Sequence, residues 1–401
     1  MNAAVRKKYS VRDLDLKGKR VFVRVDFNVP LEGGRVADDT RIRASLPTLR
    51  LVLEKGGRPI LASHLGRPKG KPNPEYSLAP VAGALASLLG GAGVVFSPDC
   101  IGDAAEKYAA SLKDGEVLLL ENLRFYPGEE KNDTEFARKL ASLATAYVND
   151  AFGSAHRAHA SVAAICGHLR PAAAGLLMEK EIDFLGRLLG APAPPYVAVL
   201  GGAKVSDKVA LVRNLLPKVD TFLIGGAMAY TFLAARKVAV GNSKVEAESV
   251  ELAGRILEEA RTAGVKIHLP SDHRVAASME APGAGETIEG EAIPAGKIGL
   301  DIGPGTARSF AEALAPAGTV LWNGPVGLFE RAPFDEGSRK VAEAIASSRA
   351  LSVAGGGDTA AALSRFHLAD RFSHVSTGGG ASLEFLSGLD LPGVSALTDR
   401  S

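Results

Sequence analysis

Two lysines four residues apart, Lys204 and Lys208, stand in the stretch GGAKVSDK, residues 201–208, between an apolar run and the segment VALVRNLL. The order reads as strand, glycine turn, helix, with both lysines in the first helical turn and on one face. A helix start is the positive end of the peptide dipole and disfavours each cation there by about 0.3–1 kcal/mol. Two solvated lysines are the ordinary explanation of such a pair. A phosphate chain lying on the helix start, however, reverses the sign for both. The lysines are therefore read as phosphate ligands.

The same device recurs in GGGDTAAAL, residues 355–363. Asp358 suits a helix N-cap, but three glycines in a row cost backbone entropy unless something approaches them closely. A magnesium nucleotide would use Gly356 and Gly357 for access, Thr359 for a phosphate oxygen and Asp358 for Mg²⁺. STGGGASLEF, residues 376–385, repeats the glycines without the acid. No G-x-x-x-x-G-K-[ST] occurs, and the absent G-x-G-x-x-G argues against a dinucleotide enzyme. In the first half, Arg41, His64, Arg67, Arg124 and Arg157 stand at or near strand ends beside Asp26 and Asn28. Arginine holds carboxylate and phosphate by two parallel hydrogen bonds, so their ligand should carry more than one anionic group. His64, His156 and His159 match no metal spacing and are read as hydrogen-bond donors. There is no nucleophile elbow and no H-E-x-x-H.

These groups need elements to place them. Short Val/Ile/Leu-rich runs alternate with helical patterns through the 401 residues, which points to parallel α/β architecture. The expected strands are VFVRVDF, RPILASHL, VLLLENL and AYVNDAF, then YVAVLGG, TFLIGG, TVLWNGP, LSVAGGG and HVSTGGG. Ligands of open α/β sheets bind beyond the carboxyl ends of the strands, where the first half collects charged groups and the second exposed backbone. A helix from Met178 to Leu189, followed by GAPAPPY, marks the domain junction. The uncharged stretch Tyr76 to Pro98 is long enough to span a membrane, but Pro80 and GGAG break it into helix, glycine stop and buried strand. A formal charge of +2 supports neither a general nucleic-acid nor a membrane role. Cys100 and Cys166 are too few for a disulfide framework, and the N-terminus has no apolar signal region. A soluble, cytoplasmic protein with reduced, buried cysteines is expected.

RVDFNVP, SHLGRP, LLENLRF, YVNDAFGSAHRAHAS, GGAKVSDK, WNGPVGLFE, GGGDT and SHVSTGGGASLEFL, in that order, resemble the phosphoglycerate kinase family from about Ser10 to the end. The resemblance implies two doubly wound parallel-sheet, Rossmann-like α/β domains facing a cleft and joined by a helix hinge. These would be a triose domain at 1–177, a hinge helix at 178–190, a nucleotide domain at 191–388 and a tail at 389–401 returning to the first domain. It implies a monomer and the reaction 1,3-bisphosphoglycerate + ADP ⇌ 3-phosphoglycerate + ATP, with Mg²⁺ bound alongside the nucleotide. Asp26, Phe27, Asn28, Arg41, His64, Leu65, Gly66, Arg67, Arg124 and Arg157 would then bind the triose. Lys208, Gly225, Gly226, Gly299, Asn323, Glu330, Gly356, Gly357, Asp358 and Thr359 would bind the nucleotide, with Glu330 at the ribose and Asp358 on the metal. Arg41, Lys204, Gly356 and Gly379 would serve the transferring group. The chain departs from the family pattern at Ala227, at His273 with Arg274, and at Ser154.

The implied chemistry needs no protein base, because the phosphoryl acceptor in reverse is a carboxylate with a reference pKa near ~4. Catalysis then amounts to positioning and charge stabilisation. Arg41 and Lys204 are expected on the equatorial oxygens, with Lys208 and the metal on the nucleotide phosphates. Rival readings are a nicotinamide dehydrogenase on the same architecture and a non-catalytic nucleotide-binding protein. The first lacks its glycine fingerprint. The second would be expected to have lost one of Arg41, Lys204, Lys208 or Asp358.

Overall fold

The computed structural model describes residues 7–280, 283 and 285–400; residues 1–6 and 401 of the expected terminal ranges lie outside the described residues. The chain divides into two compact units, Met1–Asp183 with Asp390–Ser401, and Phe184–Leu389. The division falls inside a helix, Leu176–Gly190, one to two residues longer at each end than the apolar pattern suggested.

In the first unit the strands are β1 (Arg20–Arg24), β2 (Leu31–Glu32), β3 (Arg35–Val36), β4 (Arg58–Ala62), β5 (Gly93–Phe96), β6 (Glu116–Leu119), β7 (Ala146–Asn149) and β8 (Ala172–Ala174). Six form one sheet in the order β5-β6-β4-β1-β7-β8, and every pairing in it is parallel. Parallel pairing puts all carboxyl ends on one edge, so the loops after β1, β4, β6 and β7 meet there. Each strand is shorter than its apolar run. The polar residues DFN, SHLGRP and ENLRF, and the segment DAFG after Asn149, therefore lie in loops and not in the sheet.

The uncharged stretch resolves as a helix, Ala79–Leu89, with Pro80 in its first turn and Gly90 left-handed at its end. β5 follows, but it is an edge strand and only half-buried, because one flank has no neighbour to cover it. No helix among the described residues is long and apolar enough to cross a membrane. The C-terminal segment belongs to this unit. Gly393 N–H donates to Ala155 O at 2.8 Å, Tyr9 N–H to Thr398 O at 2.9 Å, and Lys8 pairs with Asp399 at 2.6 Å.

The second unit holds β9 (Tyr196–Leu200), β10 (Thr221–Ile224), β11 (Lys266–His268), β12 (Asp272–Ala276), β13 (Glu286–Glu289), β14 (Ile298–Ile302), β15 (Thr319–Asn323), β16 (Leu351–Gly355) and β17 (His374–Val375). Its main sheet runs β11-β10-β9-β15-β16-β17, all parallel. Numbered along the chain this is the doubly wound order 3-2-1-4-5-6, with its switch point between β9 and β15. Those two central strands are buried at every residue, which accounts for their unbroken apolar runs. Between β11 and β15 the chain inserts a three-stranded antiparallel sheet, β13-β12-β14. The sequence reading missed it, because β13 (ETIE) alternates polar residues on a mostly exposed surface and carries no apolar run.

Candidate active site

At the carboxyl edge of the first sheet, the loop after β1 carries Asp26. Arg41, from the first turn of the helix Thr40–Glu54, donates to its Oδ1 at 3.0 Å, and Asn28 N–H donates to the same oxygen at 3.2 Å. Burial alone would raise the Asp26 carboxyl, but His64, Arg41 and Arg24 together hold it below its usual value. Asn28 Oδ1 accepts from Gly66 N–H at 2.9 Å, and Gly66 O accepts from Arg124 Nη1 at 2.7 Å. The loops after β1, β4 and β6 are thus tied through Asn28, Gly66 and Arg124.

His64 is buried, and Arg24 Nη2 lies 3.2 Å from its Nδ1. A guanidinium can only donate, so Nδ1 carries the lone pair and the proton sits on Nε2. Burial pushes the imidazole well below its ordinary pKa, with Arg24, Arg124 and His159 acting in the same direction and Asp26 opposing. His64 is consequently a neutral Nε2–H donor at pH 7. Arg157 is half-buried and donates to His156 Nε2 at 3.1 Å; Arg67 is exposed at the rim.

Two expected triose ligands are framework instead. Phe27 and Leu65 are buried side chains, and their amides already donate to Ser63 Oγ at 2.8 Å and Asn122 Oδ1 at 3.2 Å. Sequence reasoning also missed Arg24, fully buried at the end of β1. It donates to Ser161 Oγ at 2.9 Å and to Val25 O, while Ser161 Oγ donates to Glu129 Oε1 at 2.6 Å. A buried cation requires such partners. Its signal was available as a lone charge inside the apolar run VFVRVDF. Asn122, which holds Leu65 at both its N–H and its carbonyl, gave no signal of its own.

In the second unit the two lysines do not lie in one helical turn. The α-helix after β9 begins at Val209; Ser206–Lys208 is a separate 3-10 turn, Lys208 is the cap residue and Lys204 lies outside in the loop. The lysines do not share one helical face, so the dipole argument does not apply to Lys204. Gly202 at φ 102° turns the chain away from the strand, and buried Val205 anchors the loop, which delays the helix by a full turn.

Lys208 Nζ contacts Asn323 Oδ1, and Asn323 Nδ2 donates to Gly355 O at 3.0 Å. Burial lowers the Lys208 pKa to about 8, against the pull of Asp207 and Asp358. Asn323 ends β15, so Lys208 reaches the switch point of the sheet. Gly324 N–H donates to Thr359 Oγ1 at 2.7 Å. Thr359 is fully buried, so its hydroxyl braces this loop and does not face solvent. Asp358 is exposed in the first turn of the helix Gly357–Arg365, whose cap residue is Gly356 at φ 95°; Asp358 is not the N-cap.

The glycines divide into two kinds. A Cβ on Gly225 would meet Val326 Cβ at 2.5 Å, one on Gly226 would meet Gly202 N at 2.7 Å, and one on Gly201 would run into the carbonyls of Gly324 and Pro325. These three serve loop-on-loop packing. Gly299, on β14, is likewise pressed against the Tyr230 hydroxyl. Around Gly202, Gly357 and Gly379, by contrast, a Cβ would meet nothing within 4 Å. Backbone at Gly357 and Gly379 is open to a ligand, whereas the Gly202 N–H already donates to Pro325 O at 3.0 Å and its carbonyl accepts from Met228 N–H at 3.0 Å. Glu330 is exposed beyond them in the loop after β15. Of the departures, buried His273 meets Glu291 O at 3.0 Å through Nε2 and lies 5.7 Å, ring to ring, from Tyr230. The imidazole thereby serves a carbonyl that an apolar residue would leave unmet.

Doubly wound sheets whose loops present arginines and a neutral histidine in one unit, and lysines with open glycine turns in the other, define a class: enzymes handling phosphorylated small molecules. Comparison with known proteins gives the family. The phosphoglycerate kinase family profile matches residues 11–389. Phosphoglycerate kinase of Moorella thermoacetica is 56% identical over 393 residues, covering 98% of this chain and all of that one. The enzyme of Acidobacterium capsulatum is 54% identical over 402 residues, with the same coverages. Among solved structures, phosphoglycerate kinase from Coxiella burnetii superposes with a TM-score of 0.89 at 41% identity, over 97% of this chain and 98% of that chain. The chain belongs to the phosphoglycerate kinase family. It is a glycolytic phosphotransferase whose substrates are ATP or ADP and phosphoglycerates.

The two kinds of glycine separate experimentally. Gly201→Ala should lower stability by roughly 1–3 kcal/mol through overpacking, read by urea denaturation. Gly357→Ala should leave the denaturation midpoint unchanged and weaken ATP binding about tenfold or more, read by calorimetry. Equal stability losses in the two variants would refute the division.

Proposed function

We propose that the chain catalyses 1,3-bisphosphoglycerate + ADP ⇌ 3-phosphoglycerate + ATP by direct transfer, with the triose on the first unit and the nucleotide on the second. The observation that carries this reading is the cluster Lys208–Asn323–Gly355 at the switch point of the second sheet, bordered by the open turn at Gly357. Polyanions are met there by one cation of lowered pKa and by uncovered backbone.

On the first unit Arg41, Arg67, Arg124 and Arg157 hold the triose anions. His64 donates from Nε2, Asp26 and Asn28 orient these donors, and Arg24 fixes the His64 tautomer from behind. Phe27, Leu65 and Gly66 shape the floor. On the second, Lys208 and the backbone at Gly356 and Gly357 receive the nucleotide phosphates, while Gly299 and Glu330 border the adenosine, Glu330 at the ribose. Gly225, Gly226 and Thr359 support these loops. Arg41, Lys204 and the backbone at Gly356 and Gly379 face the phosphoryl group in transfer.

Among the described residues no group of three or more His, Cys, Asp or Glu could hold a metal by itself. A lone exposed carboxylate, Asp358, instead suits Mg²⁺ that arrives on nucleotide phosphates and keeps most of its oxygen ligands from them and from water. Bound there, Mg²⁺ would neutralise phosphate charge. The acceptor carboxylate of 3-phosphoglycerate is ionised at pH 7, so no side chain need take a proton. A cytoplasmic monomer engaging neither nucleic acid nor membrane completes the proposal, in keeping with a near-neutral formal charge of +2.

Turnover should be measured with 3-phosphoglycerate, ATP and Mg²⁺, draining 1,3-bisphosphoglycerate through a coupled dehydrogenase. Arg41→Ala and Lys204→Ala should each lower kcat by roughly 10² or more with smaller changes in KM, as for groups acting on the transition state. Losses confined to KM would reassign them to ground-state binding. Transfer also requires the two units to close on their substrates, hinging around 176–189 and excluding water from the acyl phosphate. Small-angle scattering should contract only when both substrates are present; an unchanged profile would defeat closure. Finally, Lys208 loses its charge as pH rises through about 8 in the free enzyme. kcat/KM for ATP should therefore fall above pH 8, and Lys208→Arg, which stays charged, should remove that limb.

A further inference from the structure

The backbone at the start of the lysine-bearing turn is already engaged. Ser206 donates its N–H to Glu246 Oε2 at 3.0 Å and its hydroxyl to Glu246 Oε1. Glu246 is itself held from behind, its own N–H donating to Thr231 Oγ1 at 3.0 Å. Thr231 is buried on the helix Met228–Ala235. Partial burial would raise the Glu246 carboxyl, but the Ser206 hydroxyl and amide, with the Ser249 hydroxyl and the Val205 amide, hold it below its usual range.

The turn Ser206–Lys208 has no side-chain cap of its own. Glu246 supplies, from 40 residues away, the anion that a helical start favours. A phosphate therefore cannot take the Ser206 amide while this contact stands. What this turn offers a phosphate is the lysine side chains, whose departure from the backbone it sets. Val205, buried beneath the loop, and Glu246 at its outer side are the two points that hold it.

We infer that Glu246 is a positioning residue for phosphoryl transfer, a carboxylate clamp on the turn Ser206–Lys208 that directs Lys204 and Lys208 toward the nucleotide phosphates. The inference rests on the phosphate role of these lysines proposed above. A carboxylate this close to a polyanion site could also act only by repulsion, and the two possibilities differ in sign. Removing a clamp loosens the lysines and weakens ATP use. Removing a repelling charge strengthens it.

The test is the coupled assay on the full chain, titrating ATP with Mg²⁺ and 3-phosphoglycerate separately, for the parent, Glu246→Gln, Glu246→Asp and Lys208→Ala. Glu246→Gln should lower kcat/KM for ATP by roughly tenfold to a hundredfold, the scale of misplaced reacting groups. It should leave KM for 3-phosphoglycerate and the thermal midpoint unchanged, and move the limb near pH 8. Glu246→Asp, which keeps the charge, should recover part of the loss. Parent values in Glu246→Gln, or a lower KM for ATP, would overturn the clamp. A fully active Lys208→Ala would sink the lysine assignment and the clamp with it, a result distinct from either.

Discussion

At the switch point of the second sheet there is no room for a side chain on Gly201, because its Cα lies against the carbonyls of Gly324 and Pro325. That backbone-on-backbone packing joins the loop after β9 to the loop after β15, and much of the proposed nucleotide site hangs from it. It brings the lysine loop alongside Asn323 so that Lys208 can reach the amide oxygen. Gly225 and Gly226 extend the same packing to the loop after β10, and Thr359 braces Gly324 from the helix beyond β16. A single methyl group at Gly201 would have to push two strands' worth of loop apart. Close packing of this kind transmits displacement, since interiors have few voids to absorb it.

The first unit solves a different problem, the concentration of positive charge in a half-buried place. Arg24 is taken out of water entirely and is stable there through Ser161, Glu129 and His64 Nδ1. Its presence keeps His64 neutral and correctly protonated. Arg41 and Arg124 are held by Asp26 and by the Gly66 carbonyl. Arg124 also lies 3.3 Å from Glu130 Oε1, and both arginines keep further guanidinium donors for a ligand. Such an arrangement is preorganised: the donors are in place before any phosphate or carboxylate arrives. In the assignment proposed above, the two units divide the work by chemistry, planar bidentate donors for the triose and point charges with open backbone for the nucleotide.

Much of this was legible in the residues themselves. The parallel strands were visible as apolar runs, and Asn28 and His64 were visible as polar residues just past where those runs end, whereas Arg41 stands on the helix Thr40–Glu54 and Lys208 eight residues beyond β9. Eight motifs in order specified the family. Arg24 was overlooked although a charge inside an apolar strand is informative, because the strand was read for its hydrophobic period and not for its exception. Glu246, Asn122 and Ser161 could not be found that way. Each acts on a partner 32 to 57 residues distant, with nothing in local spacing to announce it.

The sequence alone determined which groups are present and, through strand periodicity and glycine turns, roughly where each element ends. Side-chain type and local backbone preference are short-range properties, and short-range patterns record them. Only the tertiary structure decided where the lysine-bearing helix begins, which glycines are packed and which are open, and that Thr359 and Phe27 face inward. Those outcomes depend on what stands opposite each residue across the sheet or loop. That is a matter of packing between distant segments, which no local pattern encodes.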